Sequence, residues 1–158
     1  MMAYILPCVY AFFACAAFCI IFNIRDFKIG VVSSFGGALA WFVYLLSAPF
    51  GSDIVQNLFA AFAVALFSEL MARVFKAPAT VFLIIGILPM VPGGGIYYTM
   101  EYCVNGNNAM FIEKGLHTFA IAGAIAVGVS LASSIVRIFI SASYKKYKKD
   151  GKYDRNNC

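Results

Sequence analysis

The chain has 158 residues, of which 63% are hydrophobic and only 12% are charged, and its mean hydropathy is +0.86. A soluble domain of this length needs a charged and mixed surface, which this composition cannot supply. The composition therefore excludes a soluble globular protein, and lipid is the expected solvent for most of the chain.

Five apolar runs approach or exceed the length of about 20 residues that a helix needs to cross a bilayer. They lie at about residues 3–22, 29–50, 53–75, 80–100 and 116–140. We therefore predict an all-α integral membrane protein with about five transmembrane helices and one transmembrane domain over residues 1–143. Cys8, Cys15 and Cys19 fall in the first run and are expected to pack as small hydrophobic residues. No disulfide, metal site or cofactor is predicted.

Basic residues alternate between the predicted loops. Arg25 and Lys28 follow the first run, no Lys or Arg follows the second, and Arg73 and Lys76 follow the third. The net charge of +5 is concentrated in the tail, residues 144–158, where six basic residues occupy the last 14 positions. With positive charge inside, the N-terminus lies outside, and the tail is a cytoplasmic segment that binds anionic lipid rather than nucleic acid.

Small residues recur every four positions on the last predicted helix, at Ala120, Ala124, Gly128 and Ala132. Such a stripe allows another helix backbone to approach closely. The sequence leaves open whether that helix belongs to this chain or to a partner, including a second copy. On the second predicted helix, Gly36 and Gly37 are expected to serve helix packing in the same way.

The fourth run is interrupted by Pro89 and Pro92 and by three glycines. Proline has no amide hydrogen, so these two prolines free the carbonyls of Ile85 and Leu88. We expect residues 89–95 to be unwound and a new helix to begin near Ile96, with unpaired amides facing the gap. An ordinary exit turn at Pro89 is the alternative, but ten helical residues from Thr80 span only about 15 Å, half a bilayer. We favour a broken or re-entrant helix.

Irregular backbone at membrane depth survives only where protein buries it or where it lines a watery cavity. Transporters use such breaks to hold anions at half-helix N-termini and cations at freed carbonyls. The candidate substrate-binding residues are Pro89, Pro92, Gly93, Gly94, Gly95, Tyr97, Tyr98 and Thr99.

Two charged residues within the third run form a second candidate site. Glu69 and Arg73 are spaced for a helical ion pair. They are candidate coupling residues, and the sequence leaves open whether Glu69 carries protons or only pairs with Arg73 near the inner boundary. His117, at the outer surface, is interpreted as incidental. The chain lacks catalytic motifs, so no enzymatic activity is predicted.

Three motifs resemble the threonine/serine exporter family. They are R-x-x-K-x-P-x-T-V-F from Arg73, I-L-P-M-V-P-G from Ile87, and Y-x-x-M from Tyr97. The stretches IIFNI (residues 20–24) and GGALAWFVY (residues 36–44) fit the same pattern, so the resemblance covers nearly the whole chain. One departure is Arg25, which stands where the family often has a proline.

The resemblance implies a small integral-membrane subunit, similar to the C-terminal half of the single-chain exporters, in a bacterial inner membrane. It implies export of threonine and serine, or alternatively of a dicarboxylate such as succinate, together with a larger membrane subunit. A membrane scaffold that does not itself transport is the remaining alternative. With an odd number of spans, this chain and a five-span partner would be inverted relative to each other.

Overall fold

Helices dominate the computed structural model, which describes the backbone of residues 2–154 and the side chains of residues 5–49 and 51–141. Within this part, the helices are α1 (Met2–Ile21), α2 (Phe27–Leu46), α3 (Asp53–Phe75), α4 (Ala79–Ile87), α5 (Gly93–Val104) and α6 (Asn108–Asp154). Two short 3₁₀ turns, Ala48–Phe50 and Leu88–Met90, lie between α2 and α3 and between α4 and α5. The described residues form no strand, so the predicted all-α fold is confirmed.

Three straight helices are long and apolar enough to cross a membrane: Phe27–Leu46, Asp53–Phe75 and Asn108–Ser141. Ala79–Met90 and Gly93–Val104 meet this criterion only as a pair, and they are bent by 54° at a short break. The remaining apolar helix, Ile5–Ile21, is shorter. The five predicted spans thus correspond to three straight candidates, one broken pair and one shorter helix of a multi-pass membrane protein.

The last helix differs most from its predicted bounds of 116–140, because it begins at Asn108. The Oδ1 of Asn107 accepts a hydrogen bond from the Met110 amide at 3.3 Å, which caps the first turn of α6. Gly106 adopts a φ of 72°, the left-handed turn that separates α5 from α6. Most of the predicted outer loop is therefore helical.

The end of α6 also differs from prediction, because the helix continues past residue 143 to Asp154. The predicted boundary between transmembrane domain and tail is thus not a helix end. The Lys-rich segment contains no proline and favours helix by its intrinsic propensity. Arg155 and Cys158 lie outside the described residues.

Helix α2 contacts α1, α3 and α4. Gly86 of α4 faces the backbone of Gly36 and Gly37, and a β-carbon there would stand 3.5 Å and 3.6 Å from their backbone atoms. The sulfur of Cys15 in α1 also lies against Gly37. Side chains at these positions would separate the helices, so the predicted packing role of the α2 glycines is confirmed.

The small-residue stripe of α6 packs against α3. Ala124, Gly128 and Ala132 are buried. A β-carbon at Gly128 would stand 2.6 Å from the carbonyl oxygen of Leu58 and 3.2 Å from the β-carbon of Ala61. The stripe therefore serves helix packing within this chain.

The outer surface is apolar, as a lipid-facing surface requires. Ile20 is 82% exposed and Phe119 is 78% exposed. Buried hydroxyls are satisfied locally: Ser34 donates to the Gly30 carbonyl at 2.9 Å, and Ser68 donates to the Val64 carbonyl at 2.7 Å. These two serine hydroxyls thus pair with carbonyls of their own helices.

Candidate functional site

The backbone breaks between α4 and α5, as the prolines predict. After the 3₁₀ turn Leu88–Met90, Val91 is extended, and Pro92 is the N-cap of α5. The break is shorter than expected, because Gly93, Gly94 and Gly95 form the first turn of α5. The amide of Ile96 donates to the Pro92 carbonyl at 3.1 Å, which closes this turn. The expectation of an unwound stretch through residue 95 was therefore wrong.

The carbonyls of Ile85 and Leu88, which the prolines free, each accept a hydrogen bond within the protein. The thiol of Cys15 donates to the Ile85 carbonyl at 3.3 Å. The amide of Val91 donates to the Leu88 carbonyl at 3.3 Å. Each of these carbonyls therefore already accepts one hydrogen bond within the protein, so neither is left without a partner.

The amides at the start of α5 are only partly satisfied. Gly93 donates to the Val91 carbonyl at 2.7 Å. The amides of Gly94 and Gly95 have no backbone acceptor among the described residues, as expected for the first turn of a helix. This end of α5 therefore carries a partial positive charge at the break.

A cleft of about 370 Å³ lies beside the break. Its lining comprises Trp41 and Tyr44 from α2, Asn57 from α3, residues 89–92 of the break, Gly95 and Tyr98 from α5, and Lys114, His117, Thr118 and Ile121 from α6. Small-molecule sites range over about 300–1,000 Å³, so this volume suits a small solute. We refer to this space as the break cleft.

The α6 wall of the break cleft is basic. Lys114, His117, Thr118 and Ile121 share one helix face, because they are spaced three or four residues apart. Lys114 forms no ion pair with any described residue. Among the described residues, no carboxylate lines the cleft. Together with the N-terminus of α5, this wall favours a negatively charged group.

The opposite wall combines aromatic rings with a buried amide. The rings of Trp41 and Tyr44 stack with centroids 5.3 Å apart and planes inclined by 27°. The indole Nε1 of Trp41 is buried and has no hydrogen-bond partner among the described residues. A buried donor without an acceptor is costly, so a small ring movement that brings this nitrogen to an acceptor in the cleft would be stabilising.

Asn57 is only 6% exposed, and its Nδ2 donates to the Asp53 carbonyl at 2.7 Å. A carbonyl oxygen only accepts hydrogen bonds, so this contact fixes the orientation of the Asn57 amide. The Oδ1 accepts no hydrogen bond from the described residues. It is therefore a free acceptor on a side chain that lines the break cleft.

Half of the predicted substrate-binding residues line the break cleft: Pro89, Pro92, Gly95 and Tyr98. Gly93 and Gly94 face open space. Tyr97 is 66% exposed and does not line the cleft. The hydroxyl of Thr99 donates to the Gly95 carbonyl at 2.7 Å, which makes it a support of the α5 first turn.

The predicted coupling residues lie elsewhere on α3. The Nη2 of Arg73 is 3.7 Å from the Oε2 of Glu69, so the expected ion pair is present. The side chain of Glu69 is 25% exposed and that of Arg73 is 46% exposed. Neither residue lines the break cleft.

Sequence reasoning missed the basic wall. It placed Lys114 in a loop and treated His117 as incidental, because it began the last helix at Leu116. A helical start at Asn108 places both residues, with Thr118, on one face. Asn57 is a polar residue within the third apolar run, which could have marked it as a candidate site residue, but it was not predicted as one.

Comparison with known proteins supplies one match. The model of a family described as "Threonine/Serine exporter, ThrE" matches residues 7–135, which include the break and every wall of the break cleft. No curated protein and no solved structure matches the chain.

Proposed function

The chain belongs to the threonine/serine exporter family, and we propose that it is one subunit of a secondary-active exporter of small amino acids. The proposal places solute binding in the break cleft. The observation that carries it is that Lys114, which has no ion pair among the described residues, lines the same cleft as Gly95, whose amide has no backbone acceptor among them. A half-helix N-terminus is the arrangement by which broken transporter helices hold a substrate carboxylate.

A proton gradient is the proposed energy source. The sequence carries no phosphate loop that would hold a nucleotide. Glu69 is the proposed coupling group, because an ionisable residue within a membrane helix is a candidate proton carrier. Its distance from the break cleft makes any coupling indirect, through α3, which also carries Asn57 on its cleft wall.

A larger membrane subunit is the proposed partner. The resemblance to the C-terminal half of single-chain exporters supports this. We propose that both subunits reside in a bacterial inner membrane, with the basic end of this chain in the cytoplasm.

A dicarboxylate is the second candidate substrate. Lys114 and His117 lie one turn apart on the same wall, so two basic groups are available to a solute with two carboxylates.

Efflux from cells tests the proposal. Cells fed with threonine- or serine-containing dipeptides, or loaded with succinate, are compared with and without this chain and its partner. We expect efflux of threonine and serine to require both chains. Faster efflux of succinate alone would favour the dicarboxylate. If efflux persists without this chain but the partner fails to assemble at normal levels, the chain is a scaffold.

A further inference from the structure

Polar groups occupy opposite walls of the break cleft, and they differ in what they bind. On the α6 side are the Lys114 ammonium and the free amide of Gly95 in α5, both of them donors. On the α2–α3 side are the free Oδ1 of Asn57 and the stacked rings of Trp41 and Tyr44. One wall therefore suits an anion, and the other offers groups that attract a cation.

We propose that the break cleft binds a zwitterion in one orientation, with its carboxylate at Lys114 and its ammonium at Asn57. This inference rests on the proposed function and assigns to Lys114 and Asn57 the discrimination between an amino acid and other small solutes.

The carboxylate end follows from charge. Lys114 has no ion pair among the described residues, and no acidic side chain lines the cleft to compete for it. The amide of Gly95, which also lines the cleft, adds a donor that needs no side chain. A carboxylate between them gains charge-assisted hydrogen bonds, which are stronger than neutral ones.

The ammonium end follows from the fixed orientation of Asn57. Its Nδ2 is held by the Asp53 carbonyl, so Oδ1 is the atom available to a donor. Aromatic faces such as those of Trp41 and Tyr44 attract a desolvated cation, which adds to the hydrogen bond. A solute without an amine forgoes both the hydrogen bond to Oδ1 and the attraction to the rings, so it binds less well.

The indole Nε1 of Trp41, a residue of the same lining, is buried and has no hydrogen-bond partner among the described residues. An indole N–H only donates. A hydroxyl oxygen on the solute, next to the ammonium, would pair with it once the ring turns this nitrogen toward the cleft. Threonine and serine carry such a hydroxyl, whereas alanine does not.

Competition binding tests this assignment. The complex of this chain with its partner, in lipid nanodiscs, is loaded with radiolabelled L-threonine. The competitors are L-threonine, L-threoninol, which lacks the carboxylate, and 3-hydroxybutyrate, which lacks the amine. We expect each analogue to compete at least about tenfold less well than threonine, since each loses a charge-assisted contact.

The variants then separate the two ends. Lys114→Met should lower the affinity for threonine to that for threoninol and leave the affinity for threoninol unchanged. Lys114→Arg should restore the difference between the two affinities. Asn57→Leu should remove the preference for threonine over 3-hydroxybutyrate. Asn57→Asp, which keeps an acceptor, should preserve that preference, and it serves if the leucine variant does not fold. Lys28→Met, outside the cleft, is the control and should change nothing.

Two results would overturn the two-ended assignment. One is that Lys114→Met and Asn57→Leu each weaken the binding of threonine, threoninol and 3-hydroxybutyrate by the same factor. The other is succinate competing more strongly than threonine. In either case labelled solute still binds, so the cleft remains a site and only its orientation is wrong. If no solute binds and efflux is also absent, the proposed function itself fails.

Discussion

The thiol of Cys15 donates a hydrogen bond to the carbonyl of Ile85 across 3.3 Å, and this links α1 to the last turn of α4. Pro89 removes the amide that would otherwise bond that carbonyl. Both residues are buried, Cys15 fully and Ile85 to within 1%. A cysteine in an apolar run thus stabilises the break by satisfying a backbone group that the broken helix leaves free.

Replacing Cys15 tests this contact. Cys15→Ala removes the donor and leaves a buried carbonyl unpaired, so we expect the free energy of unfolding to fall by about 1–3 kcal/mol. Cys15→Ser keeps a hydroxyl donor, so its free energy of unfolding should fall by less than that of the alanine variant. Denaturation of the purified protein in detergent measures both. An alanine variant as stable as the wild type, or less affected than the serine variant, would show that the hydrogen bond contributes nothing.

The second prediction concerns neighbouring glycines of α5. A β-carbon at Gly95 would collide with the hydroxyl of Thr118, whereas one at Gly94 meets open space. We expect Gly95→Ala to cost about 1–3 kcal/mol through overpacking and to lower efflux. Gly94→Ala should leave stability unchanged or raise it by up to about 1 kcal/mol, with normal efflux.

Thr118→Ala supplies the control, because it removes the colliding atom and should restore much of the stability lost in Gly95→Ala. Double-mutant cycles on unfolding and efflux measure the coupling. Equal effects of the Gly94 and Gly95 substitutions would mean that backbone freedom, rather than contact with α6, explains the glycines.

Sequence patterns predicted the parts of the fold that depend on local chemistry. The third helix was predicted at residues 53–75 and found at Asp53–Phe75, because its apolar run is bounded by Ser52 and by Lys76, which takes a left-handed C-cap conformation. The break was predicted because proline removes an amide regardless of context. The length of the break was not predicted correctly, since glycine tolerates helical backbone angles as well as unwound ones.

The opposite walls of the break cleft were beyond sequence patterns, because they come from elements far apart in the chain. Asn57 and Lys114 line the same cleft only because α3 and α5 both pack against α6. Periodicity assigns a residue to a helix face, but it does not say which face of another helix lies opposite.

The third prediction separates coupling from structure at Glu69. An exposed helical ion pair contributes only about 0.3–0.5 kcal/mol, so Glu69→Gln and Arg73→Gln should barely change stability. We expect Glu69→Gln to reduce efflux driven by a pH gradient while sparing exchange of labelled for unlabelled threonine, which needs no net proton movement. If gradient-driven efflux is unchanged in Glu69→Gln, Glu69 does not couple transport to protons and serves only to pair with Arg73.

The fourth prediction concerns orientation. The sequence predicts five spans, which would place the two ends of the chain on opposite faces, with the N-terminus outside. Accessibility of short tags at each end to reagents that do not cross the membrane checks this in intact cells. Both tags on the same face would contradict the span count and, with it, the proposed inversion relative to the partner.

The central claim is that solute binds in the break cleft, and Trp41 allows a direct measurement because it is the single tryptophan of the chain and lines that cleft. The complex is prepared with the partner's tryptophans replaced, and its fluorescence is followed as L-threonine is added. We predict a saturable change in Trp41 emission that shifts to higher threonine concentration in Lys114→Met. Emission that stays constant while the same preparation transports threonine would contradict the claim.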